Sequence, residues 1–302
     1  LIVGVVGAGA LGTLFGAALA RTCDVRVLTR DTRTARAIAN RGGLVVDDET
    51  PRFVRVSEDP SVFDGVDIVL LAVKTFATAE ALRPLRSQLR KHQPIVSIQN
   101  GLEAVERIEF ALGHGCCIAL APTTEAARRV ESGHALHVAP GTTYVGWAAG
   151  HEGGSELDAF AEAGRAAGLR VEHVQPIEPY VWAKLVASAA INLPTALAGI
   201  PNGELLERPA ERERAGRLAR EVADVARRLG VVLPFEDAAE HALAVALATG
   251  PNRSSMLSDL EAGRPTEIEA IAGAVARHAA ALGIAVPETL RARDEVRART
   301  KA

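Results

Sequence analysis

The chain has 302 residues, more than one hydrophobic core usually holds, so two domains are expected. Apolar residues make up 48% and aromatic residues only 4%, so the core has to be built mainly from Ala, Val, Leu and Ile. A net charge of −3, from 34 basic and 37 acidic residues, gives no electrostatic reason to expect a nucleic acid or an anionic membrane as partner.

Leu1-Ile2-Val3-Gly4-Val5-Val6 is a continuous apolar, β-branched run of the kind that forms a strand buried on both faces of a parallel sheet. The turn Gly7-Ala8-Gly9-Ala10-Leu11-Gly12 follows at once, and Thr13 to Ala20 then reads as a helix packing back on the strand. Strand, G-x-G-x-x-G and helix stand in the order a dinucleotide needs. Gly7 allows the tight turn, Gly9 lets a pyrophosphate approach the backbone, and Gly12 lets helix and strand touch. Glycine is common here, at 27 residues, so the motif gains its weight from the second strand, Val25 to Thr29, which arrives where a βαβ unit puts it. That strand ends Thr29-Arg30-Asp31. An acidic residue here accepts from a ribose 2′-hydroxyl and an arginine accommodates a 2′-phosphate. Arg30 comes first, which favours NADP; the other reading gives the ribose to Asp31 and leaves Arg30 as a surface charge.

Thr32 to Asn40 reads as a helix stopped by Gly42-Gly43, and the apolar pieces 44–46 and 53–56 as a small hairpin around a polar loop. The buried strand Asp67 to Val73 delivers Lys74 at its carboxyl end, where ligands of open α/β sheets sit. Ala79 to Arg90 reads as a helix, and the strand Pro94 to Ile98 delivers Gln99-Asn100-Gly101, either a turn or a ligand position. A helix over 102–112, a strand over 116–121, a hairpin of 134–138 with 142–146 around Pro140-Gly141, a helix over 156–168 and a strand over 170–174 complete the first half. His134 and His137 lie three apart on a strand with no further ligand group, so no metal site is expected. Cys23, Cys116 and Cys117 form no disulfide framework and read as buried, reduced thiols. No apolar run approaches the roughly 18 residues of a membrane span and no signal peptide precedes the first strand, so a soluble, cytoplasmic protein is expected, with at least one residue missing before Leu1.

Beyond Val174 the pattern is almost wholly helical. In the apolar helix around Trp182 to Asn192, Lys184, Ser188 and Asn192 recur every fourth residue, on a stripe about 80° wide. An ammonium, a hydroxyl and an amide aligned in this way read as a ligand-facing seam. After Gly250-Pro251, Asn252, Ser255 and Asp259 share a helical spacing, with Asn252 or Ser254 as the cap. Thr266 reads as a helix start with Glu267 in the first turn, where a carboxylate is favoured on structural grounds alone. The Arg- and Glu-rich stretch 207–220 reads as a solvated helix face.

Taken together, the glycine turn, Leu71-Ala72-Val73-Lys74-Thr75, Gln99-Asn100-Gly101, Thr123-Thr124-Glu125-Ala126, Trp182-Ala183-Lys184-Leu185, Ile191-Asn192, Pro201-Asn202-Gly203-Glu204, Ser255-Met256-Leu257, Asp259, Pro265-Thr266-Glu267-Ile268 and Gly283-Ile284-Ala285-Val286-Pro287 resemble, in order and spacing, the ketopantoate reductase (2-dehydropantoate 2-reductase) family over nearly the whole chain. The resemblance implies an α/β fold: a Rossmann-type doubly wound domain, residues 1–174, binding NADP(H), and an all-helical catalytic and substrate domain, residues 175–302, in a 6-phosphogluconate-dehydrogenase-like arrangement. It implies NADPH-dependent reduction of ketopantoate, a small 2-oxo acid, to pantoate, across a cleft where the two halves meet. By position, Lys184 is similar to the family's catalytic lysine and Glu267 to the carboxylate that orders it and binds substrate. Asn100 resembles the asparagine at the nicotinamide end, which also touches substrate. Ser188, Asn192, Asn252 and Ser255 match substrate positions, and Gly7 to Gly12, Arg30 and Lys74 match cofactor positions, the last two at the 2′-phosphate. Ser188 departs from the asparagine of well-studied members, and a hydroxyl reaches less far than an amide. Another branched or aromatic 2-oxo acid therefore stays open as substrate, as do a non-catalytic NADP-binding regulator and a homodimer.

Overall fold

The computed structural model describes residues 1–113 and 115–300, so the last two positions of the expected helical half lie outside the described residues. The chain divides into two compact units: Leu1–Gln99 with Ala104–Ile177, and Asn100–Glu103 with Glu178–Ala302.

Eleven strands occur among the described residues of the first unit: β1 (Ile2–Val6), β2 (Asp24–Leu28), β3 (Val45–Val46), β4 (Arg55–Ser57), β5 (Ile68–Leu71), β6 (Pro94–Ser97), β7 (Cys117–Leu120), β8 (Ala126–Glu131), β9 (His134–Ala139), β10 (Thr142–Trp147) and β11 (Arg170–His173). Eight of them form one sheet in the order β11-β10-β7-β6-β5-β1-β2-β4. From β4 to β7 all neighbours are parallel, whereas β10 runs antiparallel to β7. Because β1 lies between β2 and β5, the order reverses at its carboxyl end, the crevice where a doubly wound sheet takes its ligand. The buried runs of β1, β5 and β6 account for this sheet: apolar on both faces, they are covered by helices on each side.

Both expected hairpins are replaced by longer-range pairings. β3 joins β9 and β8 in a separate three-stranded sheet, while β4 pairs with β2, and only an isolated bridge between Leu44 and Arg52 remains of the first hairpin. β9 pairs antiparallel with β8 around the two-residue turn Ser132-Gly133, and β10 goes to the main sheet. The Ser-Gly dipeptide between two strand-like runs was the available signal. The expected helix from Ala79 to Arg90 ends at Leu82 and continues as a 3₁₀ turn, Arg83–Leu85. Pro84 is the cause, since it has no N–H to donate and its ring crowds the preceding turn. Cys117 is buried and Cys116 half-buried, and burial pushes both thiols up.

In the second unit, the helix Glu178–Ala198 packs against Pro209–Arg228, with Ala238–Ala248, Ser255–Glu261, Ala274–Leu282 and Pro287–Thr300 around them. Small alanines at 189, 190, 219, 223 and 226 let helix backbones approach closely, with Leu185, Val186, Leu218 and Val222 filling the remaining space. Contrary to the sequence expectation, the 21-residue helix Glu178–Ala198 is long and apolar enough, by length and composition, to cross a membrane; 67% of its apolar window is buried inside the protein.

The Arg-rich helix face is less solvated than its composition implies. Glu288, 5% exposed, receives Arg214 at 2.9 Å and Arg217 at 3.0 Å. Removing this carboxylate leaves the partly buried guanidinium of Arg214 with Glu295, at 2.9 Å, as its remaining partner, so Glu288→Ala should cost about 2 kcal/mol in urea unfolding, whereas exposed Glu213→Ala should cost less than about 1 kcal/mol.

Candidate active site

β1 ends at Val6 and the chain turns at Gly7, whose φ of 98° lies in the left-handed region. The Gly7 N–H donates to Leu28 O at 3.1 Å, which ties the turn to β2. A Cβ at Gly12 would stand 2.0 Å from Gly7 O, so the helix Ala10–Leu19 closes on its strand only with glycine there. Gly9 is different. The nearest described atom to a Cβ built on it, Ala72 O, is 3.9 Å away, an ordinary contact. The surrounding protein does not require glycine at that position, whereas a ligand lying on the backbone would. The helix start has no side-chain cap and no acidic residue in its first turn. Its amide groups and partial positive charge therefore suit a pyrophosphate, and the turn fits such a group.

At the end of β2, Asp31 Oδ1 accepts the Thr34 N–H at 2.8 Å and caps the helix Thr32–Arg41. This bond holds the Asp31 carboxyl below the usual range. Arg30 Nε lies 3.8 Å from Asp31 Oδ2, and its side chain is 84% exposed. Lys74, half-buried just beyond β5, opens a 3₁₀ turn with its carbonyl accepting Ala77 N–H at 2.8 Å. The sequence reading missed a brace here: Gln99 Nε2 donates to Val73 O at 2.9 Å and Thr78 Oγ1 at 2.8 Å, and Ser97 Oγ donates to Gln99 Oε1 at 3.1 Å. The ends of β5 and β6 are thereby locked together beside Lys74. A polar residue directly following a buried strand was the only hint.

In the second unit, Lys184, Ser188 and Asn192 are the half-buried positions of an otherwise buried stretch from Trp182 to Leu197. Their one-face spacing leaves a polar seam in an apolar wall. Lys184 titrates at about 8, because withdrawal from water disfavours the ammonium more strongly than the nearby Glu267 carboxylate favours it. Glu267 is itself only 6% exposed, and its Oε2 accepts from Asn100 Nδ2 at 3.1 Å.

Asn100 reaches Glu267 because the segment Asn100–Glu103 docks on the second unit. Leu102 N–H donates to Ala270 O at 3.2 Å, and the buried Glu103 pairs with Arg277. Gly101 has φ of 85°, and a Cβ there would lie 2.1 Å from Ala270 O. The receiving surface is a π-helical turn, Glu269–Gly273, an irregularity that widens the backbone at this point. The helix opens at Ile268 instead of at Thr266, whose hydroxyl is buried.

The remaining predicted group divides. Ser254 is the helix cap, its Oγ accepting Leu257 N–H at 3.2 Å. Asn252 lies half-buried in the preceding loop, so it does not share a helix face with Ser255 and Asp259. Ser255 is exposed at the helix start, while Asp259 is buried and receives Arg264 Nε at 3.0 Å.

Two family models match the chain: ketopantoate reductase PanE/ApbA over residues 3–150, and the C-terminal model of ketopantoate reductase PanE/ApbA over residues 176–299. A 2-dehydropantoate 2-reductase of Archaeoglobus fulgidus is 36% identical over 293 residues, covering 95% of this chain and 94% of the relative. The crystal structure of a PanE/ApbA family ketopantoate reductase from Ralstonia eutropha JMP134 matches with a TM-score of 0.88 at 29% identity, covering 100% of this chain and 99% of that one. A D-mandelate dehydrogenase solved with NADH and anilino(oxo)acetate gives a TM-score of 0.88 at 21% identity over 100% and 99% of the two chains, a likeness of fold alone.

The depressed Lys184 value has a consequence for stability. Below pH 8 the folded chain carries an ammonium at a desolvation cost. As pH rises from about 8 toward 10.5, the folded lysine releases its proton while the unfolded one keeps it, so the cost fades. Relative to Lys184→Met, the unmodified chain should gain about 3 kcal/mol of unfolding free energy across that window. Parallel stability curves for the two proteins would show that the ammonium is not desolvated.

Proposed function

The chain belongs to the ketopantoate reductase family, and on that premise we propose that it reduces 2-dehydropantoate to pantoate with NADPH as hydride donor. The observation that carries the reading is the Lys184 ammonium, brought to about 8 beside Glu267 in a seam with Ser188 and Asn192. When bound, NADPH supplies a hydride to the keto carbon of the substrate. Lys184 hands its proton to the keto oxygen as negative charge develops there, and a value near the working pH keeps both its protonated and deprotonated forms accessible through the cycle. Glu267, held by Asn100, keeps that ammonium oriented. Ser188, Asn192, Asn252 and Ser255 supply hydrogen bonds to the substrate's carboxylate and hydroxyl.

The backbone of Gly7 to Gly12 holds the pyrophosphate, and Arg30 with Lys74 takes the 2′-phosphate. Two observations support NADPH over NADH: Asp31 spends a carboxylate oxygen on Thr34, and Arg30 is the exposed cation beside it. A second reading rests on Ser188, midway along the seam, where a hydroxyl leaves more room than an amide. It gives the enzyme a bulkier branched or aromatic 2-oxo acid.

NADPH oxidation measured with 2-dehydropantoate beside other 2-oxo acids tests both readings. The highest kcat/KM should belong to 2-dehydropantoate; preference for an aromatic 2-oxo acid would favour the second, and cofactor binding without turnover of any acid would make the chain a regulator. In the same assay Lys184→Ala should lose about 10²- to 10⁴-fold in kcat with an unchanged circular dichroism spectrum, and unmodified activity should fall as pH rises through about 8. Arg30→Ala should weaken NADPH binding at least about tenfold in a fluorescence titration and leave NADH nearly unchanged. Equal losses for both cofactors would remove Arg30 from the phosphate.

A further inference from the structure

The loop that carries Asn252 is gripped at both ends by one helix and the turn that follows it. At one end, Asn202 N–H donates to Asn252 O at 2.9 Å and Gly203 N–H to Gly250 O at 2.9 Å, while Asn202 Nδ2 donates to Thr249 Oγ1 at 3.0 Å. At the other, the hydroxyls of Thr195 and Ser254 bond to each other at 3.1 Å. Thr195 Oγ1 shares its one proton between Ser254 Oγ and Ile191 O, the latter at 2.7 Å, and Ser254 Oγ accepts Leu257 N–H. Thr195 is 0% exposed and Ser254 5%, so this bond forms out of water, where an unpaired hydroxyl is costly.

Thr195 lies within one turn of Asn192 on the helix Glu178–Ala198, directly after the internal Pro194, so it is carried on the same element as Lys184, Ser188 and Asn192. Ser254 lies beside Ser255 and two residues from Asn252. The bond the two hydroxyls share ties the helix to this loop close to the seam. We propose that Thr195 is a positioning residue for substrate recognition: through Ser254 it sets the distance at which Asn252 and Ser255 stand from Asn192. The inference rests on reading the seam as the substrate site. Lys184 is about 16 Å up the helix from Thr195, at about 1.5 Å per residue, so the hydroxyl should govern how the far end of the 2-oxo acid is held and leave proton transfer nearly untouched.

Thr195→Val removes the hydroxyl at nearly constant volume, and Thr195→Ser keeps it. With NADPH saturating, Thr195→Val should raise the KM for 2-dehydropantoate about tenfold while kcat stays within about twofold. Thr195→Ser should restore the original KM, Ser254→Ala should reproduce the Thr195→Val defect, and the double variant should be no worse than the poorer single one. An unchanged KM in Thr195→Val, with or without a lower melting temperature, overturns the proposal and leaves the residue purely structural. A raised KM in Thr195→Ser overturns it too, since volume and not the hydroxyl would then be responsible. Should Thr195→Val not fold, Ser254→Ala and Thr195→Ser decide by the same criteria. Full activity in Lys184→Ala would mark a different failure, that of the seam as substrate site, and the proposal would fall with it.

Discussion

A lysine ammonium drawn partly out of water is the constraint around which the helical unit is built. Desolvation alone would drive it to neutrality, and a buried carboxylate alone would fix it as a permanent cation. The structure supplies both and lets desolvation win by a modest margin, so the group stands near 8. That balance needs close packing along the helix, which the alanines at 183, 187, 189 and 190 provide, and it needs the Glu267 carboxylate held nearby although it is nearly buried. The Asn100 amide meets the second need by donating to the carboxylate. The seam, the π-helical turn and the docked segment are thus parts of one electrostatic arrangement.

The first unit shows a comparable division between groups committed to the fold and groups left over. Gly7 and Gly12 are required by the protein itself, through a left-handed φ and a carbonyl that no Cβ can approach. Gly9 is not, and Asp31 and Arg30 repeat the contrast, one spent on a cap and the other exposed. What the fold leaves uncommitted at the carboxyl ends of β1 and β2 is what an anionic nucleotide requires.

The doubly wound sheet and the helical second half were legible in the sequence because their signals are local: continuous apolar runs for β1, β5 and β6, and a recurrence at every fourth residue for Lys184, Ser188 and Asn192. Pairing partners were not local. β3 finds β9 across about half the length of the first unit, and neither run carries a mark naming the other, so a sequence-adjacent hairpin was the natural error. The same reason hides the bond from Asn100 to Glu267 and the one from Thr195 to Ser254. Family resemblance brought Asn100 and Glu267 into view as separate motifs, but periodicity could not have joined them. Thr195, directly behind a buried proline, had no signal at all.

The segment Asn100–Glu103 belongs with the helical unit although the chain on both sides of it belongs to the other. The helical half is therefore not one continuous stretch of sequence. A fragment starting at Glu178 would lack the amide on Glu267, the N–H on Ala270 O and the carboxylate on Arg277. A single genetic crossover between relatives near residue 177 would likewise set one parent's four residues against the other parent's π-helical turn. Inheritance should then keep the two halves together, with chimeras tolerated only where both pieces of this contact come from the same ancestor.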